Sequence, residues 1–477
     1  MIQTNYIVAI ELSSSKVTGA VGIETINGIK IIATASTLVD GYISKGVVRN
    51  VDKTSEAIAD IINRLEHDLT DNDGKEITIK RAYVSLAGLT MHSIQSKVTR
   101  TFDTYTKISA ETISEMELEN DALFQVPDGY SKVHVITQEY KVDGKTDHNP
   151  IGAPAMAIEG RYLNIVIKKQ FLEQLNESFE QVDTVITDSF VAACMDADIL
   201  LTKDARRNGC ALVNIGAETT TVSIYNNDNL RMLKVLPLGS NNITRDLCAE
   251  QISYDAAEVI KITRGYKSQA SETEPISNET ANNIIRARPG EILQNVKYQI
   301  EESGEMIHNI IFTGGGSRLK NLSILLEEYL PNFNTSIVSD PQLAFECKPG
   351  VNTYGIFTTA LYGLLNHGKE NCCEETSNEP QPTTLFPENI MSGNDTPEED
   401  TTTIANEEEE ARREEEQRKK KEEEDRKKRE EELKKKKKKE KEQALLNKIR
   451  GFGGLFKEFL QDATSEDEDD DINNEDD

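Results

Sequence analysis

Three short polar segments hold the residue types from which proteins build phosphate sites. They are Ser13-Ser-Ser-Lys16, Gly216-Ala-Glu-Thr219 and Thr313-Gly-Gly-Gly-Ser317. A polar turn between two strands presents backbone N–H groups and hydroxyls to a phosphate oxygen, and a lysine adds positive charge. A glycine turn ahead of a helix lets the backbone come close to a ligand, because no side chain intervenes. We expect the three segments to line one nucleotide cleft.

The first two segments lie in the same local pattern. An apolar strand runs into the polar turn, a second strand leaves it, and a further turn leads to a third strand. The predicted strands are residues 6–10, 17–23 and 29–32 in the first copy and 210–215, 220–225 and 230–236 in the second. This repetition predicts a duplicated α/β domain. The alternative is a coincidence of two common three-stranded meanders.

The rest of the globular part alternates strands and helices. Residues 310–312 predict a strand before the triple glycine, and apolar residues at helical spacing over 319–329 predict a helix after it. Asp52 is a candidate cap for a helix that runs to Leu69. Residues 84–160 have a mixed pattern, and residues 240–300 are predicted to be largely helical.

Charge and cysteine content exclude several classes of protein. The net charge of -29 opposes general binding to nucleic acid, because phosphate would be repelled. The six cysteines show no CxxC or zinc spacing and indicate reduced thiols. No signal peptide is expected at the start of the chain, and no apolar run approaches the ~20 residues that a membrane span needs. Any membrane contact is therefore expected to be peripheral.

The last hundred residues differ in composition from the rest. Residues 370–406 are rich in Pro, Thr, Ser, Asn and Glu and predict a disordered linker. Residues 407–443 are dominated by alternating blocks of Glu and of Lys or Arg, which favours a solvated single helix. A coiled coil is not expected, because the apolar seam is absent. A flexible charged coil is the alternative.

Residues 444–460 predict an amphipathic membrane helix. Its apolar face is formed by Leu445, Ile449, Phe452, Phe456 and Phe459. A polybasic run, Lys434–Lys439, lies just upstream and favours an anionic lipid surface. Docking of the helix on a partner or on the chain's own body is the alternative. Residues 461–477 form an acidic tail that either competes for the lysines or only adds solubility.

The polar segments resemble the nucleotide loops of the actin-like superfamily. Glu11–Lys16 and Asn214–Thr219 resemble its two phosphate loops, and Phe312–Ser317 resembles its adenosine loop. Four further segments resemble one member, the FtsA family of bacterial cell-division proteins. They are Lys45-Gly-Val-Val48, Val133–Tyr140, Asn149-Pro-Ile-Gly152 and Glu258-Val-Ile-Lys261. The resemblance covers residues 5–366.

The resemblance implies an α/β actin-like fold with two ribonuclease-H-like domains. It also implies an inserted small domain of the FtsA type in place of one actin subdomain. The implied boundaries are 1–83 and 161–200 for domain 1A with 353–366 packing back, 84–160 for domain 1C, 201–239 and 305–352 for domain 2A, and 240–304 for domain 2B.

ATP with Mg²⁺ is the implied ligand. The implied nucleotide-binding residues are Ser13, Ser14, Ser15, Lys16, Gly216, Thr219, Glu258, Lys261, Gly314, Gly315, Gly316 and Ser317. No catalytic residue is assigned, and the metal ligands are left open.

The chain departs from the family at four loop positions. Ser13 stands where the first loop usually has Gly, Asn214 where the second begins with Asp, and Ala217 and Glu218 where it has Gly. An Asn cannot act as a carboxylate base, so slow hydrolysis is expected. A phosphate charge ~4 Å from Glu218 would be repelled by about 4 kcal/mol at an effective dielectric of 20 unless a cation intervenes. A cleft that has lost its ligand is the alternative.

The implied function is that of a membrane adaptor at the division septum. It would polymerise, bind the C-terminal peptide of FtsZ at about residues 240–304, and tether FtsZ to the cytoplasmic face of the membrane. A small-molecule kinase on the same fold would need the carboxylate that Asn214 lacks. An Hsp70-type chaperone would need a β-rich domain that residues 370–477 cannot form. An actin-like pilus-assembly ATPase would not need the terminal helix.

Overall fold

A computed structural model of the chain describes residues 4–69, 76–267, 276–338, 346–351, 353 and 358–376. The predicted charged helix, the membrane helix and the acidic tail lie outside the described residues. No helix of the described part is long and apolar enough to cross a membrane.

Nine elements of the first third of the chain begin the fold. They are β1 (Tyr6–Leu12), β2 (Lys16–Thr25), β3 (Gly28–Leu38), β4 (Ile43–Ser44), β5 (Val47–Val48), α1 (Val51–Leu69), β6 (Glu76–Ile79), β7 (Arg81–Leu86) and β8 (His92–Lys107). The next elements are α2 (Ala110–Leu123), β9 (Tyr130–Val142), β10 (Lys145–Asp147), β11 (Pro154–Lys168), α3 (Lys169–Glu180), β12 (Val185–Val191), α4 (Ala192–Leu200) and α5 (Lys203–Asn208).

The remaining elements form the second half and return to the first. They are β13 (Cys210–Ile215), β14 (Thr220–Asn226), β15 (Asn229–Leu236), α6 (Asn241–Cys248), α7 (Tyr254–Arg264), α8 (Asn278–Glu302), β16 (Asn309–Thr313), α9 (Leu322–Tyr329), β17 (Asn334–Ile337), β18 (Glu346–Cys347), α10 (Thr359–His367) and β19 (Cys373–Thr376).

The two halves have the same strand order. In the first, β1–β3 form an antiparallel meander, β7 joins β1 in parallel and β12 joins β7 in parallel. In the second, β13–β15 form the meander, β16 joins β13 in parallel and β17 joins β16 in parallel. The duplication predicted from the repeated pattern is confirmed by this topology, and so is the α/β fold class.

Helix α1 covers the first sheet with an apolar face. Its fully buried residues Ile58, Ile61 and Leu65 follow helical spacing, as the sequence predicts. Gly19 of β2 lies beneath them, and a Cβ there would come within 2.5 Å of Ile61. The cap prediction was wrong by two residues. Asn50 caps the helix by accepting from the Lys53 N–H at 2.9 Å, and Asp52 lies inside the first turn.

Along the chain, the inserted domain lies between β7 and β12 of the first sheet. Strand β11 is central, with β8 on one side and β9 on the other, and α2 packs on β8. The single pair Lys234–His92 joins β8 to β15, so this sheet continues into that of the second half. The predicted boundaries at 84 and 160 fall inside β7 and β11, because both strands run on for further residues in register with their neighbours.

The chain returns to the first half after β17. Strand β18 pairs with β3, and β19 pairs with β6. Two predictions are corrected here. Residues 346–347 were assigned to domain 2A but lie in the first sheet. The linker was predicted from residue 370, yet Cys372 and Cys373 are buried in the core of the first half, so an ordered strand occupies its start.

Candidate nucleotide cleft

The first phosphate loop is a tight turn between β1 and β2. The Ser13 N–H donates to the Lys16 carbonyl at 3.0 Å, and the Ser13 hydroxyl donates to the same carbonyl at 2.8 Å. Ser15 is exposed, whereas Lys16 is partly buried. Burial lowers the pKa of Lys16, nearby Glu11 opposes that shift, and Arg318 adds to it. The first phosphate loop therefore places the side chain of Lys16 near Arg318, which directly follows the glycine loop.

The second phosphate loop has the same turn between β13 and β14. The Gly216 N–H donates to the Thr219 carbonyl at 2.8 Å. The loop is fixed from outside by α6, because the N–H groups of Ser240 and Asn241 donate to the carbonyls of Gly216 and Ala217. The two halves thus present two equivalent turns.

The glycine loop lies directly against the second phosphate loop. A Cβ on Gly314 would lie 2.3 Å from Asn214 Oδ1, and its φ of +88° also requires glycine. A Cβ on Gly316 would lie 2.4 Å from Ile215. A Cβ on Gly315 would meet nothing within 4 Å. Two of the glycines are therefore required by packing, and Gly315 alone faces open space.

One expectation about this loop was wrong. The glycines do not open directly onto an α-helix but onto a single 3-10 turn, Gly315–Arg318, and α9 begins only at Leu322. Ser317 is buried, and its hydroxyl donates to the Gly314 carbonyl at 2.7 Å. Its hydroxyl therefore holds the loop in shape.

A hairpin of the first half, residues 43–48, forms hydrogen bonds to both phosphate loops. The Gly46 N–H donates to Ser14 Oγ at 2.9 Å. The Glu218 carboxylate accepts from the Lys45 N–H at 2.7 Å and from Ser44 Oγ at 2.9 Å. Each loop thus contributes one side chain to this hairpin.

The charge of Glu218 is compensated where it stands. Arg245 of α6 donates to it at 2.6 Å, in addition to the two donors from the hairpin. Burial alone would raise the pKa of Glu218, but the Lys45 N–H, Ser44 and Arg245 together hold it below its usual range. The repulsion of phosphate was expected unless a cation intervenes, and Arg245 is such a cation, so the charge of Glu218 is balanced within the protein.

Two acids lie behind the loops. Glu11 is the penultimate residue of β1 and accepts a hydrogen bond from Thr358, while Asp196 of α4 accepts from Thr359 and Asn214. Burial raises the pKa of both carboxyls, and the proximity of Asp196 raises that of Glu11 further. Sequence reasoning missed Asp196, Thr358 and Thr359, since no motif connects them to the loops.

Glu258 and Lys261 lie on α7. Lys261 Nζ donates to Glu258 at 2.7 Å, and Thr244 of α6 donates to the same carboxylate at 2.7 Å. Lys261 is buried, so this ion pair is part of the packing between α6 and α7. Gly265 and Tyr266 follow the end of α7. Gly265 packs against the backbone of Lys320, and the Tyr266 N–H donates to the Lys320 carbonyl, so the end of α7 is held to the segment after the glycine loop.

The chemistry of the cleft fits a nucleotide with a hard cation. Two loops offer hydroxyl and N–H groups, Lys16 and Arg318 supply positive charge, and Gly315 leaves space. Mg²⁺ is held in such sites by one or two carboxylates together with the phosphates. Among the described residues, no cluster of three or more His, Cys, Asp or Glu side chains forms a dedicated metal site.

Comparison with known families agrees with this geometry. A family model described as "Cell division protein FtsA" matches residues 211–345, and one described as "SHS2 domain inserted in FTSA" matches residues 88–166. Over these two segments the chain is similar to the FtsA family. The second match covers most of the inserted domain, so the small domain between β7 and α3 resembles the domain that is inserted in FtsA proteins.

Relatives in several bacteria carry the same description. FtsA of Porphyromonas gingivalis is 29% identical over 309 residues, which are 60% of this chain and 63% of that protein. FtsA of Bacillus subtilis is 26% identical, over 68% of this chain and 77% of its own length. FtsA of Escherichia coli K12 is 23% identical, over 76% of this chain and 90% of its own.

A solved structure supports the fold. The type IV pilus biogenesis complex PilM–PilN contains a chain with a TM-score of 0.55 and 16% identity, covering 75% of this chain and 97% of its own. At that identity the likeness shows the shared actin-like fold and nothing of function.

Proposed function

We propose that this protein is an FtsA-type, membrane-tethering adaptor of the division ring. It binds ATP with Mg²⁺, assembles with copies of itself and anchors FtsZ filaments to the cytoplasmic face of the membrane at the septum. The observation that carries the proposal is the combination of a three-loop cleft in an FtsA-family body with the amphipathic segment 444–460. A soluble kinase would not need the amphipathic segment.

The nucleotide part of the proposal rests on the three loops. Gly314–Gly316 would lie against the adenosine, while residues 13–16 and 216–219 would surround the phosphates. Glu258 and Lys261 would lie near the adenine and ribose. When bound, Mg²⁺ neutralises phosphate charge. Asn214 offers no carboxylate base, so the protein is at most a weak ATPase, and the nucleotide serves assembly of the polymer.

The membrane part rests on the pattern of residues 444–460. Phe452, Phe456 and Phe459 provide apolar area at ~25 cal/mol per Å² buried. Each basic residue of Lys434–Lys439 near an anionic surface adds about 1 kcal/mol. A single amphipathic helix gives reversible attachment, which suits a ring that must be rebuilt at every division.

Flotation with liposomes tests the whole proposal. The full-length protein should float with anionic vesicles and carry FtsZ with it, whereas FtsZ alone should stay at the bottom of the gradient. A variant that lacks residues 444–477 should still bind FtsZ but should no longer carry it to the vesicles. Flotation of that shortened protein with lipid would show that the anchor lies elsewhere.

A further inference from the structure

A fully buried acid lies beneath the second phosphate loop. Asp196, on α4, is 2% exposed. Its two oxygens accept from different elements, since Asn214 Nδ2 of β13 donates to Oδ2 at 2.8 Å and the Thr359 hydroxyl of α10 donates to Oδ1. A carboxylate this deep needs such donors, because burial without them costs several kcal/mol. Asp196 therefore depends on Asn214 and Thr359.

Asn214 occupies the position at which β13 opens into the cleft. Its neighbours across the sheet are Thr221 of β14 and Thr313 of β16. Its amide nitrogen is directed at Asp196, and its amide oxygen abuts Gly314 of the glycine loop. The opposite orientation would set the amide oxygen against Oδ2 of the carboxylate and leave these two facing oxygens without a donor. Asp196 therefore determines which way the amide faces.

We propose that Asp196 is the positioning residue of the second phosphate loop. It holds the Asn214 amide with the oxygen toward the glycine loop, and it carries the negative charge that the family's pattern places at position 214. The acid thus lies one hydrogen bond away from the position at which the family's pattern has it. The assignment rests on the proposed role of this loop in nucleotide binding, but the pair itself can be tested without a nucleotide.

The pairing of Asp196 with Asn214 makes a specific prediction about substitutions. Asn214→Asp alone sets two carboxyls within hydrogen-bond distance of each other, close to a third acid, Glu11. Asp196→Asn alone keeps an acceptor for the Asn214 amide and can still pair with Thr359. The double variant D196N/N214D restores a complete set of bonds, because the new amide at 196 donates to the new carboxylate at 214. The acid then lies on the loop itself.

Melting of the nucleotide-free, full-length variants is the first measurement. Asn214→Asp should lower the melting temperature by about 4 °C, as expected for an uncompensated buried charge in a body of this size. D196N/N214D should recover most of that loss, and Asp196→Asn alone should change little. Equal melting of Asn214→Asp and the native protein would overturn the proposal, and so would a double variant no better than Asn214→Asp.

A matched control separates this pair from the general cost of a buried acid. Asn164 in the inserted domain is also fully buried, and it bonds Ser96 and Asn120 rather than an acid. Asn164→Asp should lower the melting temperature as well, but Asp196→Asn should not rescue it. Rescue of both variants would mean that Asp196→Asn stabilises the fold unspecifically, which would overturn the assignment.

Calorimetric titration with Mg-ATP is the second measurement. Asp196→Ala removes the acceptor that orients the amide and should weaken binding at least tenfold, whereas Asp196→Asn should bind within about threefold of the native protein. Unchanged binding by Asp196→Ala would refute the positioning role. If the native protein binds no nucleotide, the proposed function fails, while the rescue in the nucleotide-free protein still decides whether Asp196 and Asn214 act as a pair.

Discussion

Gly315 offers a substitution that separates ligand binding from folding. A side chain at this position enters open space beside the second phosphate loop, and its backbone does not require glycine. Gly315→Leu should therefore leave the nucleotide-free protein as stable as the native one. If adenosine lies against this loop, the leucine fills its place and prevents binding.

The expected shift in melting temperature follows from the linkage between ligand binding and folding. A ligand at one hundred times its Kd stabilises the folded state by about 2.7 kcal/mol. The first of the two units of the chain runs from Met1 to Glu379, and an unfolding entropy of about 2.1 cal/mol/K per residue converts that free energy into a shift in its melting temperature of about 3 °C. The native protein should show this shift with Mg-ATP, and Gly315→Leu should show none.

The neighbouring glycines supply the controls for a scanning calorimetry experiment. Gly314→Ala and Gly316→Ala each force a methyl group into Asn214 or Ile215, so both should lower the melting temperature of the nucleotide-free protein. Gly315→Ala should behave like the native protein without ligand. A full ligand-induced shift in Gly315→Leu would refute the placement of adenosine at this loop, and a large loss of stability in that variant would refute the open space.

Three further predictions concern the membrane helix, its basic flank and the hairpin. Replacing Phe456 and Phe459 with Glu should abolish flotation even with anionic vesicles at low salt, because charge enters the lipid interface; persistent flotation would contradict the helix assignment. Neutralising Lys434–Lys439 should weaken flotation only with anionic lipid and mainly at low salt, since salt screens the attraction between lysine and anionic lipid. An equal loss of flotation with neutral lipid would contradict an electrostatic role of these lysines. Glu218→Gln should lower the unfolding free energy at pH 7 by about 1–3 kcal/mol. Because the folded state lowers the pKa of Glu218, its stabilisation is complete above the usual glutamate value of 4.5 and disappears as the pH falls below it, so calorimetry should show the two proteins converging in acid.

Local patterns predicted the local parts of the cleft well. The turns at Ser13–Lys16 and Gly216–Thr219 follow from polar residues between apolar strands, and both occur as predicted. Strand ends and caps were less certain, because Asn50 and Asp52 are equally good cap residues and only the path of the chain selects one of them. The start of the linker failed for a similar reason, since Cys372 and Cys373 gain their burial from distant β6 and not from their neighbours.

Contacts that depend on tertiary placement were beyond the sequence. Asp196 meets Asn214 across 18 positions and Thr359 across 163, and no spacing rule links an acid in an apolar helix to a loop in another element. The compensation of Glu218 by Arg245 also depends on how α6 begins after β15. The sequence could show that a carboxylate was missing at 214, but not that another lies one hydrogen bond behind it.

Residues 371–376, at the end of the described chain, complete the first half, and this has a consequence for synthesis of the protein. The Tyr6 N–H is bonded to the side chain of Asn371, 365 positions away, and the Tyr6 carbonyl accepts from Cys372. At a translation rate of about 5–20 residues per second, the first strand waits roughly 20–70 s for these partners. During that interval β6 also has no β19 beside it, so the nascent chain has an open strand edge. A chain that ends before Cys372 therefore lacks both hydrogen bonds to Tyr6 and the strand that pairs with β6.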